Sequence, residues 1–281
     1  MRSSSPPGAA RVLTRNDLYQ RIDAVKRNRV KRKKYGECFV ESVAAIDAAV
    51  DQGWEIRAFI HALGARLSGW AIERIEACPE ARTIELAPDL MAELSDREET
   101  SELVAVVGIR RSSLQELPAA SPFAALILDR PSSPGNLGSI LRSCDAFGAS
   151  CVAIRGHAAD IYDPQTIRAS LGAVFSVPVA PECSNEELAA WLAGLRSRLP
   201  GLQTVGTSPT ADTALYDFDL TRPTVFVLGN ERDGMSEWLR QATDAAVSIP
   251  SSGSVDSLNV AAAATVALYE LTRQRAMSRR S

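Results

Sequence analysis

Three short stretches in the second half of the chain bring together residue types that could bind a ligand. The first is Asp129-Arg130-Pro131-Ser132-Ser133-Pro134-Gly135-Asn136-Leu137-Gly138-Ser139-Ile140-Leu141-Arg142, a Pro/Gly-rich loop running into a helix. Asn136 and Arg142 are six apart, close to two helical turns, so both are expected to project from roughly the same side toward one ligand. The second is Leu228-Gly229-Asn230-Glu231-Arg232-Asp233-Gly234-Met235-Ser236, where an apolar run ends in two glycines bracketing charged residues, so that backbone can approach a ligand closely. The third is Ile249-Pro250-Ser251-Ser252-Gly253-Ser254-Val255-Asp256-Ser257-Leu258-Asn259, leading into an alanine-rich helix. Read singly, each has a plainer explanation: a helix cap with a surface arginine, a carboxylate at a helix N-terminus, a capping pair.

The elements that must carry these loops are legible as alternation. Apolar runs at residues 124–128, 151–154, 202–205, 225–228 and 246–249 are bounded by turn residues and read as buried strands. Helical patterns fall between and after them at 137–147, 164–171, 186–195, 236–241 and 257–275, which predicts an α/β domain with a parallel sheet covered on both faces. In such sheets ligands bind beyond the carboxyl ends of the strands, where the three loops begin. Generic nucleotide signatures are missing: no Gly-x-Gly-x-x-Gly follows the first strand and no Gly-x-x-x-x-Gly-Lys-Ser/Thr occurs, which disfavours a dehydrogenase or an NTPase. There is no Gly-x-Ser-x-Gly elbow for a hydrolase. Five cysteines without a Cys-x-x-Cys pair, and only His61 and His157, predict neither a disulfide framework nor a metal site.

Upstream, an apolar stretch from Tyr35, a helical spacing of Val43, Ile46, Ala49 and Val50, and Ile56, Phe59 and Ile60 read as strand, helix, strand. With a helix starting at Pro88 and a strand at 103–107, they predict a small α/β domain over residues 14–110. Residues 1–13 are expected to be a disordered leader and 111–121 a polar linker, leaving 122–281 for the larger domain. The net charge of −3 hides an asymmetry. Within residues 21–34 eight cations face only Asp23, a local charge of +7, so the remainder carries −10. That density suits phosphate neutralisation, and equally a solvated helix face or a flexible tail. No apolar run reaches the roughly 20 residues of a membrane span and the N-terminus lacks a signal-peptide core, so a cytosolic protein is expected.

Taken in order, the three loops resemble motifs 1, 2 and 3 of the SpoU/TrmH group in the SPOUT methyltransferase superfamily. The pieces that carry the resemblance are Gly-Asn-Leu-Gly-Ser-Ile-Leu-Arg, then Leu-Gly-Asn-Glu-Arg-Asp-Gly-Met-Ser, then Ser-Ile-Pro-Ser-Ser-Gly-Ser-Val-Asp-Ser-Leu-Asn-Val-Ala. Arg168 to Ala173 also resembles a family segment, and Gly36 to Ala49 the auxiliary substrate-binding domain of many members. The first loop is similar to the avilamycin-resistance type of 23S rRNA methyltransferase. Ser251-Ser252 departs from the pattern, standing where many relatives have an apolar pair.

The resemblance implies a trefoil-knotted catalytic domain, a homodimer, S-adenosylmethionine as cofactor, and methylation of a ribose 2′-hydroxyl, in large-subunit rRNA by the two-domain plan, with antibiotic resistance as an outcome it allows. It implies Asn136 and Arg142 at the target nucleotide, Glu231 orienting the arginine or the ribose, and Ser257 and Asn259 bracing the third loop. Gly229, Ile249 and Leu258, with Thr207, would hold the cofactor. Arg29, Lys31, Arg32, Lys33, Lys34 and Arg168 are the candidates for RNA phosphates. Transfer RNA as substrate, base methylation, and a catalytically silent RNA-binding protein of the same fold are the alternatives.

Overall fold

The computed structural model describes residues 10–95, 100–110, 112–253 and 257–279. Contacts divide the chain into one unit of Met1–Arg110 with Tyr162–Ser176 and another of Arg111–Ile161 with Val177–Ser281.

The first unit is built on a five-stranded mixed sheet, in the order β1-β4-β3-β5-β2. Its elements are β1 (Ala10–Val12), α1 (Asp17–Arg27), α2 (Arg29–Tyr35), β2 (Glu37–Val40), α3 (Val43–Asp51), β3 (Ile56–Ala62), α4 (Gly69–Glu76), β4 (Arg82–Leu86), α5 (Pro88–Leu94) and β5 (Val104–Gly108). The expectation of a leader over residues 1–13 fails at residues 10–12. Ala10, Arg11 and Val12 pair in parallel with Ile84, Glu85 and Leu86, and Val12 is buried, so strand pairing orders this end. Residues 1–9 of the expected leader lie outside the described residues. The basic stretch is two helices. Asn28 joins them: its backbone N–H closes α1 on the Ala24 carbonyl, and its side chain accepts from the N–H groups of Val30 and Lys31 to start α2.

The second unit holds a six-stranded, wholly parallel sheet in the order β11-β9-β10-β6-β7-β8, as expected for an α/β domain. Along the chain come β6 (Ala124–Asp129), α6 (Pro134–Ala146), β7 (Cys151–Arg155), α7 (Pro164–Ser170), α8 (Ala173–Ser176), β8 (Val179–Cys183), α9 (Asn185–Arg198), β9 (Gln203–Thr207), β10 (Thr224–Leu228), α10 (Glu237–Ala242), β11 (Ala245–Val247) and α11 (Val260–Ser278). The residues expected to be a linker do more than tether. Leu114 and Leu117, around a short 3-10 turn closed by Ser113 and Glu116, are buried in this unit's core; Arg111 lies outside the described residues. From β6 the chain moves out to β7 and β8, then crosses to β9, β10 and β11 on the other side. The order therefore reverses between β6 and β10, and motifs 1 and 2 leave the carboxyl ends of those two strands.

Helices α7 and α8 fall in the sequence range expected for the catalytic domain, yet group with the first unit. Gly172, between them, has φ +92, and a Cβ there would meet the Ala48 Cβ at 2.7 Å and the Ala44 carbonyl at 2.8 Å. Only glycine lets this backbone lie so close on α3.

Candidate active site

Beyond the carboxyl ends of β6, β9, β10 and β11 the second unit has a cavity of about 490 Å³, within the usual range for small-molecule sites. Asn136, Glu231, Ser257 and Asn259 line it, and so do Thr207, Gly229, Ile249 and Leu258. Residues separated by more than a hundred positions are brought together because each begins or ends a loop on the same sheet edge. Ser254, Val255 and Asp256 of the third loop lie outside the described residues.

A hydrogen-bonded chain links the three loops. The Glu231 carboxylate accepts from the Ser132 backbone N–H at 3.2 Å and its hydroxyl at 2.9 Å, and from the Asn136 side-chain amide at 3.1 Å. The Asn136 oxygen in turn accepts from the Asn259 amide at 3.0 Å. Asn259 also caps α11, accepting from the Ala261 N–H, while Ser133 caps α6 through the Asn136 N–H. Capping and site-building are thus one arrangement here: the cap fixes each amide's backbone and the chain fixes which way its side chain points. Partial burial by itself would raise the Glu231 carboxyl, but bonds from Asn136, its own N–H and Ser132 outweigh it and hold the group below the ordinary carboxylate range. Glu231 is therefore an ionised organiser whose oxygens are already occupied.

Sequence reasoning missed the residue beneath this chain. Asp129, fully buried at the end of β6, accepts from Arg155 at 2.8 Å, from Arg130 at 3.1 Å and from the Ser236 backbone N–H at 2.7 Å. Burial would raise its carboxyl, yet these bonds lower it. The Asn230 amide donates to the Arg130 carbonyl at 2.7 Å, so Asp129 and Arg130 fasten the second loop to the first at two points. An acid closing an apolar strand was the available signal. Gly229 has its own constraint: a Cβ there would lie 2.3 Å from the Gly234 carbonyl carbon and the Met235 nitrogen, so the loop closes on itself only with glycine.

Arg142 is not brought to the cavity. It is exposed and has no hydrogen-bond or ion-pair partner among the described residues. Six residues advance about 600° around a helix, which leaves Asn136 and Arg142 roughly 120° apart. The face that Asn136 shares continues instead at Ser143, which meets Thr265 of α11 at 2.7 Å, and at Phe147 beyond the helix end, which stacks edge-on against Tyr269.

In the first unit, Lys33 and Lys34 are exposed, and Arg29 and Lys31 half-buried. Arg32 is not a surface cation. It is 2% exposed and donates to the carbonyls of Val25 and Lys26 and to Asp163, because its place on α2 faces inward. Arg168 sits on α7 with the buried Glu41 at 3.5 Å.

A model of the SpoU rRNA Methylase family matches residues 124–269, the stretch that holds all three loops. The chain belongs to this family. A model of the SpoU L30e-like domain matches residues 16–105, within the first unit. Among SpoU relatives, a 23S rRNA (uridine(2479)-2′-O)-methyltransferase of Streptomyces viridochromogenes is 41% identical over 99% of this chain and 97% of its own length. The crystal structure of the SpoU methyltransferase AviRb from the same organism, in complex with the cofactor AdoMet, matches with a TM-score of 0.88 over 93% of this chain and 99% of that one. An AdoMet-bound rRNA methyltransferase from Sinorhizobium meliloti is 26% identical, with a TM-score of 0.83 over 95% and 98% of the two chains.

The cavity's chemistry fits the SpoU cofactor, S-adenosylmethionine. Met235, Ile249, Leu258 and Val260 offer apolar surface for an adenine ring, while Thr207, Ser208 and the backbone around Gly229 and Asn230 offer polar groups for the ribose and the amino-acid tail.

Proposed function

We propose that this chain transfers a methyl group from S-adenosylmethionine to a ribose 2′-hydroxyl in large-subunit ribosomal RNA. The observation that carries the reading is the chain from Glu231 through Asn136 to Asn259, which joins all three family loops at the cavity that suits the cofactor. When bound, S-adenosylmethionine supplies an activated methyl on its sulfonium; the C–S bond breaks as the C–O bond forms, and the hydroxyl proton passes to solvent.

The protein's share is alignment. Placing the 2′-oxygen in line with the methyl can supply roughly 7 to 11 kcal/mol of barrier lowering. Asn136, fixed at both ends of its amide, orients the ribose; Ser257 and Asn259 hold the third loop; Thr207, Gly229, Ile249 and Leu258 surround the cofactor. Arg142, exposed and unpartnered among the described residues, grips an RNA phosphate outside the cavity. Lys33 and Lys34, with Arg29, Lys31 and Arg168, bind RNA through the first unit, which the L30e-like match supports. The RNA class rests on the relative that spans nearly the whole chain, a 23S rRNA methyltransferase.

The working form is a cytosolic homodimer with a knotted C-terminal path. Exposed Val266, Tyr269 and Met277 on α11 favour a partner surface there, and the packing of α11 on α6 is in keeping with the knot. No helix among the described residues is long and apolar enough to cross a membrane. By the likeness of the first loop to the avilamycin-resistance type, the product is a ribosome protected from an antibiotic of that class. The test is transfer of tritiated methyl to 23S rRNA, tRNA and 2′-deoxy analogues by wild type and Arg142→Ala. Label in 23S rRNA alone, lost from the deoxy analogue and reduced in the variant, is the expected result; label in tRNA alone, or in the deoxy analogue, overturns it.

A further inference from the structure

The second loop carries a cationic side chain that neither the hydrogen-bonded chain nor the family match assigns. Residues 230–234 form a tight closed turn: the Asn230 N–H donates to the Gly234 carbonyl and the Gly234 N–H to the Asn230 carbonyl, each at 3.0 Å. Inside it the Asn230 side-chain oxygen accepts from the backbone N–H of Arg232 at 2.9 Å and of Asp233 at 3.2 Å. The Asn230 amide fastens the turn to the Arg130 carbonyl. The backbone of Arg232 is therefore fixed at the tip of the loop.

Both flanking acids are turned away from it. Glu231 reaches to Ser132 and Asn136, and Asp233 faces Arg130 at 3.8 Å. Arg232 lines the cavity, is the one cationic side chain to do so among the described residues, and has no side-chain hydrogen bond or ion pair among them. A planar five-donor fork at a cavity wall, with no acceptor for it among the described residues, is complementary to a pair of anionic oxygens. The methyl-transfer reading, on which this step rests, brings two such groups to the cavity: the carboxylate of the cofactor's amino-acid tail and a phosphate beside the target ribose.

We infer that Arg232 binds an oxyanion at this cavity, as a specificity residue that tells a cofactor with its tail, or a nucleotide with its phosphate, from ligands lacking either. It acts by binding an anion through its fork of N–H donors.

The experiment is calorimetric titration of the full-length protein, as wild type, Arg232→Gln and Arg232→Lys, with S-adenosylhomocysteine and with 5′-methylthioadenosine, which keeps the nucleoside and lacks the carboxylate. RNA KM and its salt dependence are measured alongside, and melting temperatures check that the exposed substitution leaves the fold intact. If the tail carboxylate is the ligand, Arg232→Gln binds S-adenosylhomocysteine about tenfold more weakly and methylthioadenosine unchanged, and Arg232→Lys recovers part of the loss. If an RNA phosphate is the ligand, cofactor binding is unchanged, KM for RNA rises about tenfold and its salt dependence becomes shallower. Values for both S-adenosylhomocysteine and RNA within about twofold of wild type overturn the role of Arg232 while leaving the methyltransferase reading standing. Wild-type protein that binds no S-adenosylhomocysteine refutes both.

Discussion

Replacing Asp129 by Asn tests whether a buried charge, and not merely a shape, fastens the second loop to the first. The side chain keeps its volume, and one oxygen can still accept from the Ser236 N–H, now at 2.7 Å. The other position becomes an NH₂ facing the donors of Arg155 and Arg130, which stand 2.8 Å and 3.1 Å from the carboxylate. Two charge-assisted bonds are lost and two guanidiniums are left beside a donor. Removing one partner of a buried pair costs about 3–5 kcal/mol, and the half-exposed Arg130 belongs at the low end, so about 3 kcal/mol is expected. For a unit of this size that lowers Tm by about 6–12 °C. The lowered carboxyl also sets a pH signature. A depressed folded-state pKa contributes stability above the unfolded value, near 3.9, that is lost as pH falls through the folded one. The gap between wild type and Asp129→Asn should be constant from pH 8 to about 5 and close below about 4. Thermal unfolding followed by circular dichroism across that range is the assay. A Tm within about 2 °C of wild type at pH 7 refutes the claim that the carboxylate is the clamp.

Gly229→Ala puts a Cβ 2.3 Å from backbone atoms of Gly234 and Met235, so the loop must open. We expect S-adenosylhomocysteine affinity to fall more than about tenfold in calorimetry, with a stability loss of about 1–3 kcal/mol; unchanged affinity would show that the tight closure is dispensable. Glu231 stays ionised because its carboxyl is held low. The pH–rate profile between pH 6 and 9 should therefore carry no inflection that Glu231→Gln removes, and one that disappears in the variant would make Glu231 a proton acceptor after all. Lys33→Glu with Lys34→Glu should raise KM for RNA at unchanged kcat and flatten its dependence on salt by about one unit of slope for each phosphate no longer neutralised. Equal salt slopes for variant and wild type would remove these lysines from the RNA surface.

Much of the second unit could be read from the chain because apolar runs such as Ala124 to Leu128 and Val225 to Leu228 are long enough, and their bounding turns clear enough, to announce buried strands. Val179–Cys183 escaped because Pro181 and Glu182 interrupt its apolar run, and Arg82–Leu86 because it shows only a short alternation between polar neighbours. The leader was overextended for a related reason: a three-residue strand has no periodicity of its own, and β1 exists only because β4 offers an edge to pair with. Local pattern reports a segment's own preferences, and these three segments are defined by their neighbours.

The site shows the same division at the scale of single side chains. The likeness to the three SpoU motifs assembled Asn136, Glu231 and Asn259 where residue type alone left helix caps as an alternative; the structure brings them together because the ends of parallel strands share one edge. Direction around a helix was not secured by type. Asn136 and Arg142 differ in phase by roughly 120°, which six-residue spacing already contains once the 3.6-residue turn is applied strictly. Arg32 fails in the same way: in a run of four cations on one helix, at least one must point at the core, and the run cannot say which until Asp163 and the carbonyls of Val25 and Lys26 are in place to receive it. A count of charges therefore measures how much phosphate a segment could neutralise only after the inward-facing member has been subtracted. Here that shifts the RNA-facing surface of α2 toward Lys33 and Lys34, the two cations of the run that are exposed.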